Sequence, residues 1–345
     1  MIKEDLKNFL HTMSKEVLIE CIETFQSLKI KETENNEKTE EIKKTENIEE
    51  NDDDDCALLK GLILKDITIF YEKNAKGDND KCNKKREAIV LNILTDKIPK
   101  KWYSFTNDDK DLSKKWYTVA FRLKEYIKKL QAHENVTILK HIIQKAGRNY
   151  NYDFDFIFVE RPLKIELKNG VKSIVDYPEI ISVPANKFII GVSYAEYYYD
   201  VYLTQLGIES LPSKEVYLKN VYKTDIKHEF FRDLKNYEGL LTIVYDSISS
   251  YLENIIQFDF DAYRTKISEQ SNKIFMLWKN EEFHLDKISV EDVDIIPEKN
   301  LKRGSHGYTT IVIKTHGVYE HHVLLRWKNT NGVLLPAWQV KLFYM

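Results

Sequence analysis

Two stretches, Asp153–Val159 (DFDFIFV) and Leu163–Lys168 (LKIELK), alternate polar and apolar residues and carry acids close to a lysine. A β-strand points successive side chains to opposite faces. Asp153 and Asp155 therefore share a face of the first predicted strand. Glu166 and Lys168 share a face of the second, with Ile165 and Leu167 on its other face. The interval from Asp153 to Glu166 suits one strand, a tight turn and a second strand. Paired as a hairpin, the two bring carboxylates together near one end, with a lysine beside them.

That set suits phosphodiester hydrolysis. Two carboxylates about 4 Å apart repel unless a cation sits between them. Mg²⁺ takes hard oxygen ligands, one or two carboxylates plus water and a phosphate oxygen. It polarises the phosphate and lowers the pKa of a bound water. A neighbouring ammonium orients that water and stabilises the charge building on the phosphate. The bare pattern acid–any residue–lysine also occurs at Asp5, Glu41, Asp108, Asp225 and Asp233. Those five fall in helical, linker or loop contexts. Only Glu166 follows an acid-bearing strand.

The elements around the hairpin follow from periodicity. Leu6 to Phe25 reads as one amphipathic helix, and Cys56 to Phe70 and Lys85 to Ile98 as two more. Ser113 is expected to cap a helix whose apolar face is Trp116, Val119, Ala120, Leu123, Ile127 and Leu130. Val136 to Ala146 continues the helical pattern. Asn169-Gly170 marks a turn, and Val171 to Val175 can form a returning strand. Lys187–Val192 and Leu240–Tyr245 read as strands, and Tyr194–Leu206 and Ser213–Tyr237 as helices. The last hundred residues are strand-like, at Ile274–Trp278, Phe283–Ile288, Tyr308–Thr315, Tyr319–Trp327 and Val333–Phe343.

Over roughly Thr137 to Leu206 this pattern resembles the PD-(D/E)xK nuclease superfamily, the fold of many type II restriction endonucleases. The matching residues are Asp153 (or Asp155), Glu166 and Lys168, although Tyr152 stands where the motif has proline. The resemblance implies a mixed α/β (α+β) fold with a restriction-endonuclease-like central mixed sheet flanked by helices. N-terminal helices would precede it and a β-rich C-terminal region would follow. It also implies Mg²⁺, with Mn²⁺ able to substitute, held by Asp153 or Asp155, by Glu166 and by the Leu167 carbonyl. Asp153 is favoured, since the acid usually opens the strand. The expected activity is a metal-dependent endonuclease acting on DNA, duplex and site-specific. The alternative is a non-catalytic nucleic-acid-binding or scaffold protein on the same fold.

Base and phosphate contacts are expected from the C-terminal region. Arg303 lies in the basic run Lys302–Gly307, and Arg326, Lys328 and Asn329 lie near a predicted strand end. Arginine reads guanine edges, asparagine reads adenine, and lysine neutralises phosphate. His316, His321 and His322 with Asn329 and Asn331 resemble an HNH nuclease in composition only, because no helix with a third histidine follows. Phe283-His284-Leu285-Asp286 offers His and Asp on one strand face with nothing to pair them.

Composition bounds the rest. The chain has 345 residues, 43% of them apolar, enough for a packed core. No run approaches the 18 apolar residues of a membrane span, which excludes an integral membrane helix. Met1–Leu10 lacks the apolar stretch of a signal peptide. Cys21, Cys56 and Cys82 form no full disulfide set and share no metal-ligand spacing, so a reducing compartment, cytoplasm or nucleus, is expected. The net charge of −3 averages unlike parts. Residues 31–55 carry −8 and read as an acidic disordered linker. Residues 56–345 carry +6, a sign compatible with a polyanion. The expected divisions are a 1–30 helix, a 31–55 linker, a 56–245 helical and nuclease region and a 246–345 DNA-recognition region. DNA is the expected partner, with homodimerisation left open.

Overall fold

The chain divides into two units, Met1–Asp54 and Asp55–Met345. The computed structural model describes residues 61–73, 78–104, 109–145, 150–176, 179–208, 210–223, 229–234, 239–303, 309–330 and 332–345. The helix expected at Leu6–Phe25 and the acidic segment 31–55 lie outside these residues. So does most of the stretch 56–63.

A 3₁₀ turn, Leu64–Phe70, leads to helices α1 (Asn79–Leu94) and α2 (Lys110–Glu134). Asp109, not Ser113, caps α2, its carboxylate accepting from the Leu112 N–H at 3.1 Å. Ser113 is buried one turn in. Trp116, Val119, Leu123, Tyr126 and Leu130 are fully buried at helical spacing, and Asn135 ends the helix in the left-handed region.

Three antiparallel strands follow: β1 (Leu139–Gln144), β2 (Phe154–Phe158) and β3 (Pro162–Asn169). β1 occupies the stretch read as helix, so that expectation is corrected. The apolar spacing at Leu139, Ile142 and Ile143 fits either period, and pairing with β2 decides it. Residues 171–176 turn back rather than forming a returning strand. The Asp286 carboxylate holds that turn through Ser173 Oγ at 3.0 Å and the Ile174 N–H at 2.9 Å.

Next come β4 (Ile181–Pro184), β5 (Ile189–Ile190) and α3 (Tyr194–Tyr198), whose helical path continues to Leu206. The span read as one helix, Ser213–Tyr237, is described as α4 (Lys214–Val221) and α5 (Glu229–Leu234). Leu240–Ser250 is helix α6, not a strand. A run rich in Leu, Ile and Val does not distinguish a buried helix from a buried strand. Then follow β6 (Gln257–Phe258), α7 (Phe260–Ser268), β7 (Lys273–Lys279), β8 (Glu282–Lys287), β9 (Asn300–Arg303), β10 (Thr309–Lys314), β11 (Tyr319–Thr330) and β12 (Leu334–Tyr344).

The molecule is mixed α/β. One five-stranded sheet runs β1-β2-β3-β7-β8, and a second runs β4-β12-β11-β10-β9. In the first, β7 lies parallel to β3 and the other pairs are antiparallel. One face of this sheet (Phe154, Phe156, Ile165, Met276) packs against α1 and α2. Phe275 and Leu277 on the opposite face join the core of α3–α7 and the second sheet. β7 is apolar on both faces because it is covered on both. The expected boundary at 245/246 does not separate two bodies. β7 and β8 complete the sheet of the hairpin, while β4 completes the C-terminal sheet.

Candidate active site

The register of β2 and β3 sets the site. Phe154 stands opposite Ile165 and Asp155 opposite Lys164. The Asp153 N–H, one residue outside that register, also donates to the Ile165 carbonyl at 2.9 Å. Asp153 and Glu166 line one cleft, and the Glu166 charge bears on the Asp153 carboxyl. Beyond this point β2 offers no further carbonyl, and the Leu167 N–H donates to Asp153 Oδ2 at 2.7 Å instead. A strand residue points its N–H and C=O to the same side, so the Leu167 carbonyl also faces this gap.

Glu166 is held by two cations. Its Oε1 lies 2.5 Å from Lys168 Nζ and its Oε2 2.9 Å from Lys273 Nζ. Lys273 opens β7 and is 2% exposed. Its ammonium also donates to the Asn151 carbonyl at 2.7 Å, which fixes the segment leading into Asp153. Lys273 stands opposite Lys164, two register pairs from Glu166 and on the same face, so the parallel pairing of β3 with β7 delivers it.

The charges are unequally settled. Burial pulls the Glu166 carboxyl up, but Lys168 and Lys273 outweigh it and hold it below its ordinary value. Burial pushes Asp153 up to about 7, and the charges of Glu166 and Glu87 push the same way. Burial pulls Lys168 down, yet Glu166 reverses this and keeps it a firm cation. Lys273 is lowered, because burial outweighs Glu166 there.

Asp155 is separated from this pair. Its carboxylate is taken by Lys145, the residue after β1, at 2.7 Å. Of the two alternatives left open by the sequence, the structure brings Asp153 to Glu166 and commits Asp155 elsewhere.

These groups line a cleft of about 1440 Å³. One side carries Lys84, Glu87, Lys145, Asp153, Glu166 and Lys168. The other is built from Ile181–Pro184, Leu335–Ala337 and Lys328 of the second sheet. Lys328 Nζ reaches Ser182 Oγ at 2.9 Å and Glu179 at 3.9 Å. Of Arg303, Arg326 and Lys328, Lys328 lines this cleft. Arg326 is exposed two residues earlier on β11, outside the lining. Arg303 ends β9, the far edge of that sheet. Lys302 shares a face with Leu324, so Arg303 points to the opposite face from Arg326. Only the backbone of Asn329 is described.

Sequence reading missed Lys273, Glu87 and Asn151. The one available signal was a lysine opening the otherwise apolar run KIFMLWK. Nothing local tied it to a residue 107 positions earlier.

Among the described residues no group of three or more His, Cys, Asp or Glu side chains is placed to hold a metal ion. The pair Asp153–Glu166 with the Leu167 carbonyl is nevertheless a hard-oxygen set of the kind Mg²⁺ takes, with water completing its shell. The crowding that raises Asp153 is what a cation would relieve. It would have to displace a lysine from one Glu166 oxygen. The histidine cluster has no such character. His321 is buried between Tyr263 Oη at 2.9 Å and the Asp292 carbonyl at 2.7 Å, and burial lowers it to about 4. His322 sits on Glu320 at 2.6 Å. Set against protein-family models, curated proteins and solved structures, the chain has no match.

Proposed function

We propose that this chain is a metal-dependent hydrolase of DNA phosphodiester bonds, with Asp153, Glu166 and Lys168 as its reacting set. The observation that carries the reading is that Asp153 and Glu166 line one cleft, with the Leu167 N–H on Asp153 Oδ2 at 2.7 Å and Lys168 on Glu166 at 2.5 Å. The mixed sheet flanked by helices supports it, as the PD-(D/E)xK resemblance implies such a sheet. Asp153, Glu166 and the Leu167 carbonyl would hold Mg²⁺ or Mn²⁺. Such an ion supplies Lewis-acid polarisation of the phosphate and an acidified water. Lys168 stays charged, so it acts by donating hydrogen bonds and stabilising negative charge rather than as a base. Lys273 positions Glu166 and the backbone before Asp153. The lysines around the cleft attract a polyanion. No helix among the described residues is long and apolar enough to cross a membrane, and a reducing compartment where DNA is found suits the reading.

The test is incubation of the chain with supercoiled plasmid and Mg²⁺, beside an EDTA control and Lys168→Ala. Cleavage should need the metal and fall about 10²–10⁴-fold in the variant, as on losing an electrostatic catalytic group. Undiminished cutting in EDTA, or by Lys168→Ala, overturns the assignment. A folded protein that binds DNA and never cuts it would favour the non-catalytic alternative.

A further inference from the structure

We propose that the cleft takes a single unpaired DNA strand, with its phosphates on the lysine-bearing side and its bases against the opposite wall. This rests on the phosphodiester reading of the same site, and narrows the substrate from the duplex to which the sequence pointed.

The two sides of the cleft differ in kind. Around Asp153 and Glu166 the lining is charged, with Lys84, Lys145, Lys164 and Lys168 beside Glu87. The second sheet contributes Val183 and Pro184 of β4, Leu335 and Pro336 of β12 and Lys328 of β11 to the lining. Tyr150 and Tyr152 lie at the carboxylate end, edge to face at 5.8 Å, and Tyr150 is 46% exposed. A duplex stacks its base faces inside and shows phosphates and groove edges. An apolar wall opposite a phosphate site would have nothing to cover. An unpaired strand presents both a phosphate edge and π-faces, and proteins that hold one combine a cationic groove with aromatic or apolar platforms.

Dimensions agree. Small-molecule sites run to about 300–1,000 Å³. At about 1440 Å³ the cleft exceeds one such ligand and suits a short run of nucleotides. Along the cleft Glu179 lies 3.9 Å from Lys328. The ion pairs along it are no obstacle, because partly solvated pairs contribute only about 0–1 kcal/mol and exchange readily for phosphate.

The experiment is fluorescence anisotropy with labelled oligothymidine of about 16 nucleotides and with a duplex of the same length, both in Ca²⁺ to suppress turnover. The single strand should bind at least about tenfold more tightly. Val183→Asp, and separately the exposed Pro184→Glu, should weaken single-strand binding by about tenfold and leave duplex binding unchanged. Melting curves check that both variants fold, and Pro184→Glu carries the test if Val183→Asp does not. Equal or tighter duplex binding, or single-strand affinity untouched by a folded wall variant, overturns the proposal. The same oligonucleotides in Mg²⁺ separate the two ideas. Single-strand binding without cleavage defeats the hydrolase reading alone, and cleaved duplex without single-strand binding defeats this inference alone.

Discussion

The Lys273 ammonium on β7 lies 2.9 Å from Glu166 Oε2 on β3 and 2.7 Å from the Asn151 carbonyl, so one buried cation joins both carboxylate-bearing segments. Replacing it by methionine keeps the volume and removes the charge. Removing one partner of a buried ion pair costs about 3–5 kcal/mol, and Lys168 remains to share Glu166, so Lys273→Met should cost about 3 kcal/mol in urea unfolding. The double variant Lys273→Met/Glu166→Gln should lose less than the sum of the single losses. Strict additivity would show that the contact carries no coupling. The positioning role has its own readout, because Lys273→Met should raise the Mg²⁺ concentration for half-maximal cleavage more than it lowers the rate at saturating metal.

The hairpin was legible because its period is two and its acids sit on the polar face of that period. Asp153, Glu166 and Lys168 fall within 16 residues of one another, so local alternation was enough to align them. Choosing Asp153 over Asp155 from sequence needed a convention, and the pairing of Asp155 with Lys145 is visible only in three dimensions. Lys273 and the apolar wall were not legible, since both depend on which strands pair across long separations. β3 pairs with β7, and β4 with β12, only in three dimensions. The helix–strand errors at Leu139–Gln144 and Leu240–Ser250 share a cause. Short apolar runs carry no period of their own, and burial between layers decides their state.

A second prediction concerns pH. The folded Asp153 carboxyl stands at about 7, above its unfolded value near 4, so the fold binds this proton more tightly than the unfolded chain does. Stability from this group is full below about pH 4 and is lost as pH rises through about 7. Measured without metal, wild type should lose on the order of 4 kcal/mol relative to Asp153→Asn across that window. Ca²⁺ should then stabilise wild type more at pH 8 than at pH 6, because the proton must leave before the ion binds. A wild-type-minus-variant difference that is flat with pH would sink this account of Asp153.

The third prediction separates the two aspartates. Asp155 is bound to Lys145 and stands beside, not within, the Glu166 pair. Asp153→Asn should abolish Ca²⁺-induced thermal stabilisation and reduce cleavage by about 10²-fold or more. Asp155→Asn should keep both within roughly threefold, its cost being the loss of one partly exposed ion pair worth about 0–1 kcal/mol. Loss of ion binding in Asp155→Asn but not in Asp153→Asn would reverse the assignment.

The last prediction compares three cations of the C-terminal sheet. Lys328 lines the cleft on β11, Arg326 stands on the same strand outside it, and Arg303 ends the far edge strand on the opposite face. A lysine that meets a phosphate releases one counterion. Lys328→Ala should therefore weaken binding to every DNA sequence alike and reduce the slope of log affinity against log salt by about one. Arg303→Ala, remote from the cleft, should leave both within about twofold. Arg326 is the discriminating case. A base contact there would make Arg326→Ala cost about 1–3 kcal/mol on a preferred sequence and less on others. From its place outside the cleft, a small and sequence-independent effect is expected instead. Arg326 is exposed, so its truncation should leave the melting temperature unchanged, and a sequence-selective loss in the folded variant would return base reading to this face of the sheet.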